Sequence, residues 1–225
     1  ARPGNRQRLL ILAEAFQGNF SAAFAQYQKS PFEPKGPFEV ALLAEVQAER
    51  GSNDALALID ALRVYEPVAA DVVQARLWLR QGKLPEAASA LEAAFLRYRT
   101  EPWALSPVMG RGLKLAVGLA ERQPALGVRM FHALEQPFAA YALEENRRRI
   151  EMTLAGAVDF QGLCATALSF MEPHIPWDKE TLSYRVHCYQ ARGDARLFLA
   201  QSDLDAYLAR EPEPLVPGGE EAPFH

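Results

Sequence analysis

Ala23, Ala55 and Ala87 stand 32 residues apart, and their neighbours repeat with them. Tyr27, Ile59 and Leu91 follow each alanine after four residues, and Ser30, Leu62 and Ala94 follow after seven. A glycine (Gly18, Gly51 or Gly82) precedes each by four or five. Offsets of four and seven lie on one face of an α-helix. A chain that repeats such a face at a fixed period is built by stacking small units, because one unit cannot bury its apolar face alone. The small residue lets paired helices approach closely. The glycine ends the preceding helix in a left-handed conformation.

The remainder of the chain is also helical in pattern, with no alternating run bounded by hairpin turns. Leu9, Leu12, Ala13 and Phe16 make one stripe, Val40, Leu43, Ala44 and Gln47 a second, and Val72, Ala75, Trp78 and Leu79 a third. The stretch from Ala75 through Trp78 and Gly82 to Ala87, continuing to Leu91 and Ala94, resembles the tetratricopeptide repeat (TPR), a helix–turn–helix unit of about 34 residues. Ala55, Ile59, Leu62 and Pro67 match its second helix. Ala200, Leu204, Tyr207 and Pro212 match it again, after Val186, Tyr189 and Gly193 in first-helix positions. The resemblance implies an all-α fold: a right-handed α-solenoid of about six hairpins, forming a single domain over residues 1–211. The Leu9 helix and the Tyr207 helix would cap it. The register fades over residues 103–177, where Pro102, Pro107, Pro137, Pro173 and Pro176 interrupt the pattern and Pro124 marks a helix start. Two divergent hairpins with longer connections are expected there. The Pro- and Gly-rich residues 212–225 read as an extended tail.

A net charge of −4 makes no electrostatic case for nucleic acid. No apolar run approaches the ~20 residues that span a bilayer, so direct membrane insertion is not expected. The chain begins at Ala1 rather than Met, so it reads as processed, tag-trimmed or cut from something longer; the compartment, cytoplasmic or periplasmic, and the oligomeric state stay open. Cys164 and Cys188 are too few for a disulfide scaffold and read as two buried free thiols. No Cys-x-x-Cys, His-x-x-x-His or phosphate-binding loop occurs, so neither metal nor cofactor is expected. No nucleophile motif is present either, which argues against an enzyme.

In the TPR family the first helix of each hairpin lines the concave face. Carried onto this chain, its exposed positions are Glu45, Ala48 and Glu49, then Val72, Arg76, Leu79 and Arg80, then Ser183, His187 and Gln190. The resemblance thus implies a protein–protein interaction module whose groove of mixed charge takes a partner peptide or helix. Replacing Arg76 and Arg80 by alanine should weaken such a ligand without unfolding the chain. The plainer reading is that these arginines pair with Glu45 and Glu49 across the neighbouring helix. Arg147, Arg148 and Arg149 follow Glu144 and Glu145 and read as an exposed charged helix with internal ion pairs. Trp103 and Trp177, in Pro-rich connections, either pin those connections or serve as interface anchors. The segments 101–107, 137–147 and 172–177 resemble repeat tails of bacterial fused spermidine-synthase-like proteins. That resemblance implies the alternative of an accessory or regulatory domain of a larger aminopropyltransferase-like enzyme, with or without a membrane association.

Overall fold

The computed structural model of the protein describes residues 3–210, so the tail expected at 212–225 lies outside the described residues. These residues form twelve α-helices and no strand. They are α1 (Pro3–Gln17), α2 (Phe20–Lys29), α3 (Gly36–Glu49), α4 (Ala55–Tyr65), α5 (Pro67–Arg80), α6 (Leu84–Tyr98), α7 (Ser106–Arg122), α8 (Pro124–Leu134), α9 (Glu144–Val158), α10 (Phe160–Ser169), α11 (Lys179–Arg192) and α12 (Leu197–Leu208). A 3-10 turn, Tyr141–Leu143, precedes α9. The chain divides into two compact units, residues 1–163 and 164–225, and the division falls where the repeat register fades.

In the first unit, helices pack as sequential pairs: α1 with α2, α3 with α4, α5 with α6, and α7 with α8. The odd-numbered helices also contact one another in succession from α1 to α9. Ala23, Ala55 and Ala87 are fully buried, together with Ile59, Leu62, Leu91 and Ala94. The glycine turns are equally regular. Gly51 and Gly82 have φ of 69° and 75°, conformations that favour a residue without Cβ. The amide of Lys83, just beyond Gly82, donates to Trp78 O at 2.9 Å, and that of Ser52, beyond Gly51, to Gln47 O at 3.3 Å. Both are Schellman closures of a first helix. Pro124 starts α8, as the sequence predicts.

Two packing expectations need correction. The buried face of α1 is Ile11, Leu12 and Ala15, which join Phe20, Leu42, Leu43 and Val46 in one core. Leu9 and Phe16 are 66% and 50% exposed, because α2 and α3 meet the opposite side of the helix. α3 and α5 are each contacted by several helices and are buried nearly all round. Glu45, Ala48, Val72, Arg76 and Leu79, assigned above to exposed positions, are therefore buried.

Gly127 of α8 shows why small residues are needed at helix contacts. A Cβ there would lie 2.5 Å from Ala120 Cβ of α7 and 2.5 Å from Val158 Cγ1 of α9.

In the second unit, α11 packs on α12. Asp178 caps α11 by accepting from the Thr181 amide at 2.9 Å. Arg185 lies over the Tyr189 ring and donates to Asp203 at 2.6 Å. Cys164 and Cys188 are joined in a disulfide with Cα atoms 5.8 Å apart, which corrects the expectation of free thiols. Both cysteines face the buried interior, where two helix faces bring them within bonding reach.

Two stability predictions follow from these contacts. Gly127→Ala should destabilise by up to about 2 kcal/mol in urea titration, since an overpacking cost of ~1–3 kcal/mol opposes a helix-propensity gain of ~1 kcal/mol and both contacts at 2.5 Å put the cost at the upper end. Cys164→Ser with Cys188→Ser should cost about 3 kcal/mol through loss of a cross-link across 24 residues, and reduced wild type should match it in the same titration.

Candidate functional site

A cavity of about 780 Å³ in the first unit is bordered by α1, α2, α3, α5 and α7. Its chemistry begins at Glu45, whose side chain is fully buried on α3. Arg111 of α7 clasps it with both ends of its guanidinium: Nε donates to Oε1 at 2.8 Å and Nη2 to Oε2. Arg111 Nη1 also donates to Phe16 O at 3.2 Å. Arg76 of α5 approaches Glu45 Oε1 at 3.6 Å and donates to Glu49 Oε2 at 2.7 Å. Arg80, one helical turn on, closes on the other oxygen of Glu49. The Phe20 ring packs under both central guanidiniums, at 4.9 Å from Arg76 and 5.8 Å from Arg111. Exposed Lys114 lines the same cavity.

The pairing of Arg76 and Arg80 with Glu45 and Glu49 is thus present. Four cations lie against two carboxylates, so the cavity carries an excess of positive charge. Arg76 Nε is buried with no hydrogen-bond partner. Sequence reasoning missed Arg111, Lys114 and the Phe16–Phe20 wall. The period holds the missing signal: Arg111 stands 35 residues after Arg76, and Lys114 stands 34 after Arg80. Val72 and Leu79 are core residues of α5 and do not line the cavity. His187 and Gln190 are exposed on α11 of the second unit. Trp103 is 84% exposed in the α6–α7 connector, and Trp177 is 52% exposed before α11.

The arginine run on α9 departs from expectation. Arg149 and Glu145 make the expected (i, i+4) pair at 3.1 Å, and Arg148 donates to Glu144 at 3.0 Å. Arg147, however, is fully buried rather than exposed. It donates to Glu144 at 2.8 and 2.6 Å, to Leu134 O, and to Glu151 at 3.3 Å. Three consecutive helical residues point about 100° apart, so one of them is forced toward α7 and α8.

The two glutamates on Arg147 titrate in opposite directions. Burial pulls Glu144 upward, but hydrogen bonds and charge from Arg147 and Arg148 outweigh it and hold the carboxyl below its usual range. Burial pushes Glu151 up to about 8; attraction to Arg147 opposes this, and repulsion from Glu135 and Glu144 adds to it. Glu151 Oε1 has no partner to repay its desolvation.

Among the described residues, no group of three or more His, Cys, Asp or Glu could hold a metal ion. No helix there is long and apolar enough to cross a membrane. Comparisons with protein-family models, curated proteins and solved structures returned no match to this chain.

The Glu151 environment sets a pH dependence. Its folded value lies above the unfolded 4.5, so its contribution is fully present below pH 4.5 and is lost as pH rises toward about 8. Glu144 acts at the other end, its contribution being lost as pH falls through its lowered value. Glu151→Gln should therefore flatten the decline in stability between about pH 4.5 and 8 and leave the acid limb unchanged, as read by denaturant midpoints across pH.

Proposed function

We propose that the first unit is a TPR-like right-handed stack of helical hairpins that binds a partner protein, and that an acidic segment of the partner enters the Arg76–Arg80–Arg111–Lys114 cavity. The observation carrying this reading is the charge imbalance: four cations line a groove against two carboxylates, with aromatic surface from Phe16 and Phe20 beside them. A peptide or helix bearing Asp or Glu would meet charge-assisted donors and an apolar wall together. The guanidiniums are held by Glu45, Glu49 and Phe20 before any ligand arrives, which lowers the ordering cost of binding. This is a binding module rather than an enzyme. The Cys164–Cys188 disulfide supports an oxidising compartment, since such bonds persist where thiols are not kept reduced.

The test must spare the buried ion network. Arg76 is 6% exposed and shared between two glutamates, so Arg76→Ala would leave buried charge unpaired, at a cost of ~3–5 kcal/mol. Arg80→Ala with Lys114→Ala removes only the accessible charges. That double variant should keep the wild-type melting transition. In fluorescence anisotropy it should bind a Glu/Leu-rich heptapeptide at least tenfold more weakly than wild type does, while the Gln/Leu counterpart binds neither protein. Equal affinity of wild type and variant for the acidic peptide sinks the reading.

A further inference from the structure

A second, smaller cavity in the first unit has the opposite electrostatic character. Its volume is about 180 Å³, well below the ~300–1,000 Å³ of sites for drug-sized molecules, so it suits a single small group. Glu66 and Glu101 line it from two different connections, α4–α5 and α6–α7. The carboxyls are close enough that burial and the charge of Glu101 push Glu66 above its usual range. Among the described residues, no arginine or lysine pairs with either. The Glu101 carboxylate accepts from the Trp103 amide at 3.1 Å.

Two further features point to a ligand rather than to an idle acidic pair. Tyr98 lines the cavity and is fully buried, yet its hydroxyl has no hydrogen-bond partner. An unpartnered buried polar group costs ~1–3 kcal/mol, so a group that met it would recover that energy. Burial and the charges of Glu45 and Glu66 hold this hydroxyl above its ordinary range, keeping it a neutral O–H. At the rim stand two exposed aromatic rings, Tyr65 at 69% and Trp103 at 84% exposure. The α5 N-terminus also contributes, through Pro67, Val68 and Ala69. A helix start carries only about half a positive charge, so two carboxylates leave the pocket negative.

We infer that this cavity binds an alkylammonium or guanidinium group, with Glu66 and Glu101 as counter-charges, the Tyr98 hydroxyl as acceptor, and Tyr65 and Trp103 as aromatic walls. Cations favour aromatic faces, and two neighbouring half-buried carboxylates favour a single compact cation between them. This site is separate from the cationic groove, and its test is independent of that proposal.

The full chain, labelled with ¹⁵N, reports through the Trp103 indole N–H, assigned by its loss in Trp103→Phe. The probes are ethylammonium, ethylguanidinium and blocked Ala-Lys-Ala, with blocked Ala-norleucine-Ala as the neutral control. The cationic probes should shift this signal saturably and the control should not. Glu66→Gln with Glu101→Gln should weaken binding at least tenfold with melting unchanged; the Glu66 side chain caps neither α4 nor α5, and a glutamine oxygen at 101 can still accept from Trp103. Tyr98→Phe should be at least as stable as wild type, yet bind the probes several-fold more weakly. Tighter binding of the tripeptide than of ethylammonium assigns the cation to a polypeptide partner; equal binding assigns it to a free amine, and both uphold the site. An equal response to norleucine, undiminished affinity in the double glutamine variant, or no saturable shift in wild type overturns it. Arg80→Ala with Lys114→Ala should leave the Trp103 response unchanged whatever happens in the groove.

Discussion

Glu45 has no exposed surface, and a carboxylate in that position is tolerable only if cations close on it. They come from two other helices: Arg111 lies 66 residues onward in α7, and Arg76 lies in α5. The contact therefore ties α3, α5 and α7 together by charge as well as by packing. It also decides what the cavity can bind. Arg76 serves Glu45 and Glu49 at once, and Glu49 also pairs with Arg80. With Phe20 beneath the two inner guanidiniums, positive charge gathers along one side of the unit although the chain as a whole is acidic. Net charge says nothing about such local excess, which is why composition alone offered no hint of it.

The parts of the fold that were legible in the sequence depend on local backbone and periodicity. Gly51 and Gly82 end their helices through the same hydrogen-bond closure because the turn is encoded within six residues. Ala55 and Ala87 are buried because a repeated small residue has one structural use in a helical pair. What was not legible depends on which face meets a neighbour. Of the α1 stripe Leu9, Leu12, Ala13 and Phe16, only Leu12 joins the core; its companions there, Ile11 and Ala15, are equally apolar. Both faces satisfy helical periodicity, and only the positions of α2 and α3 choose between them.

Charged residues carry the same ambiguity in a sharper form. A run of three arginines on a helix must spread over most of its circumference, so one can face inward whenever the helix has neighbours on more than one side. Arg147 does so and finds Glu144, Glu151 and the Leu134 carbonyl, local partners that make burial tolerable. Nothing in the run distinguishes Arg147 from Arg148 or Arg149 before α7 and α8 are in place. The cysteines show the same limit over a longer span. A separation of 24 residues is compatible with a disulfide or with two free thiols, and only the mutual approach of α10 and α11 decides.

The α6–α7 junction differs in length from the α4–α5 junction, and this has a structural consequence. At the preceding junction, α4 passes into α5 through Glu66 alone, and a proline begins the next helix. Between α6 and α7 the chain instead runs non-helically over residues 99–105, with Pro102 within that stretch and Pro107 in the first turn of α7. Proline at 102 denies the connector the backbone donor that helix continuation requires. Glu101 and Trp103 are thereby placed off any helix, with Glu101 near Glu66 and Trp103 open to solvent. A one-residue junction has no room to present a carboxylate and an aromatic ring together. The same connector ends where Ser106 and Pro107 border the cationic groove, while Ala104 and Leu105 border the acidic cavity. The longer α6–α7 connector thus sets two surfaces of opposite charge on either side of four consecutive residues, 104–107.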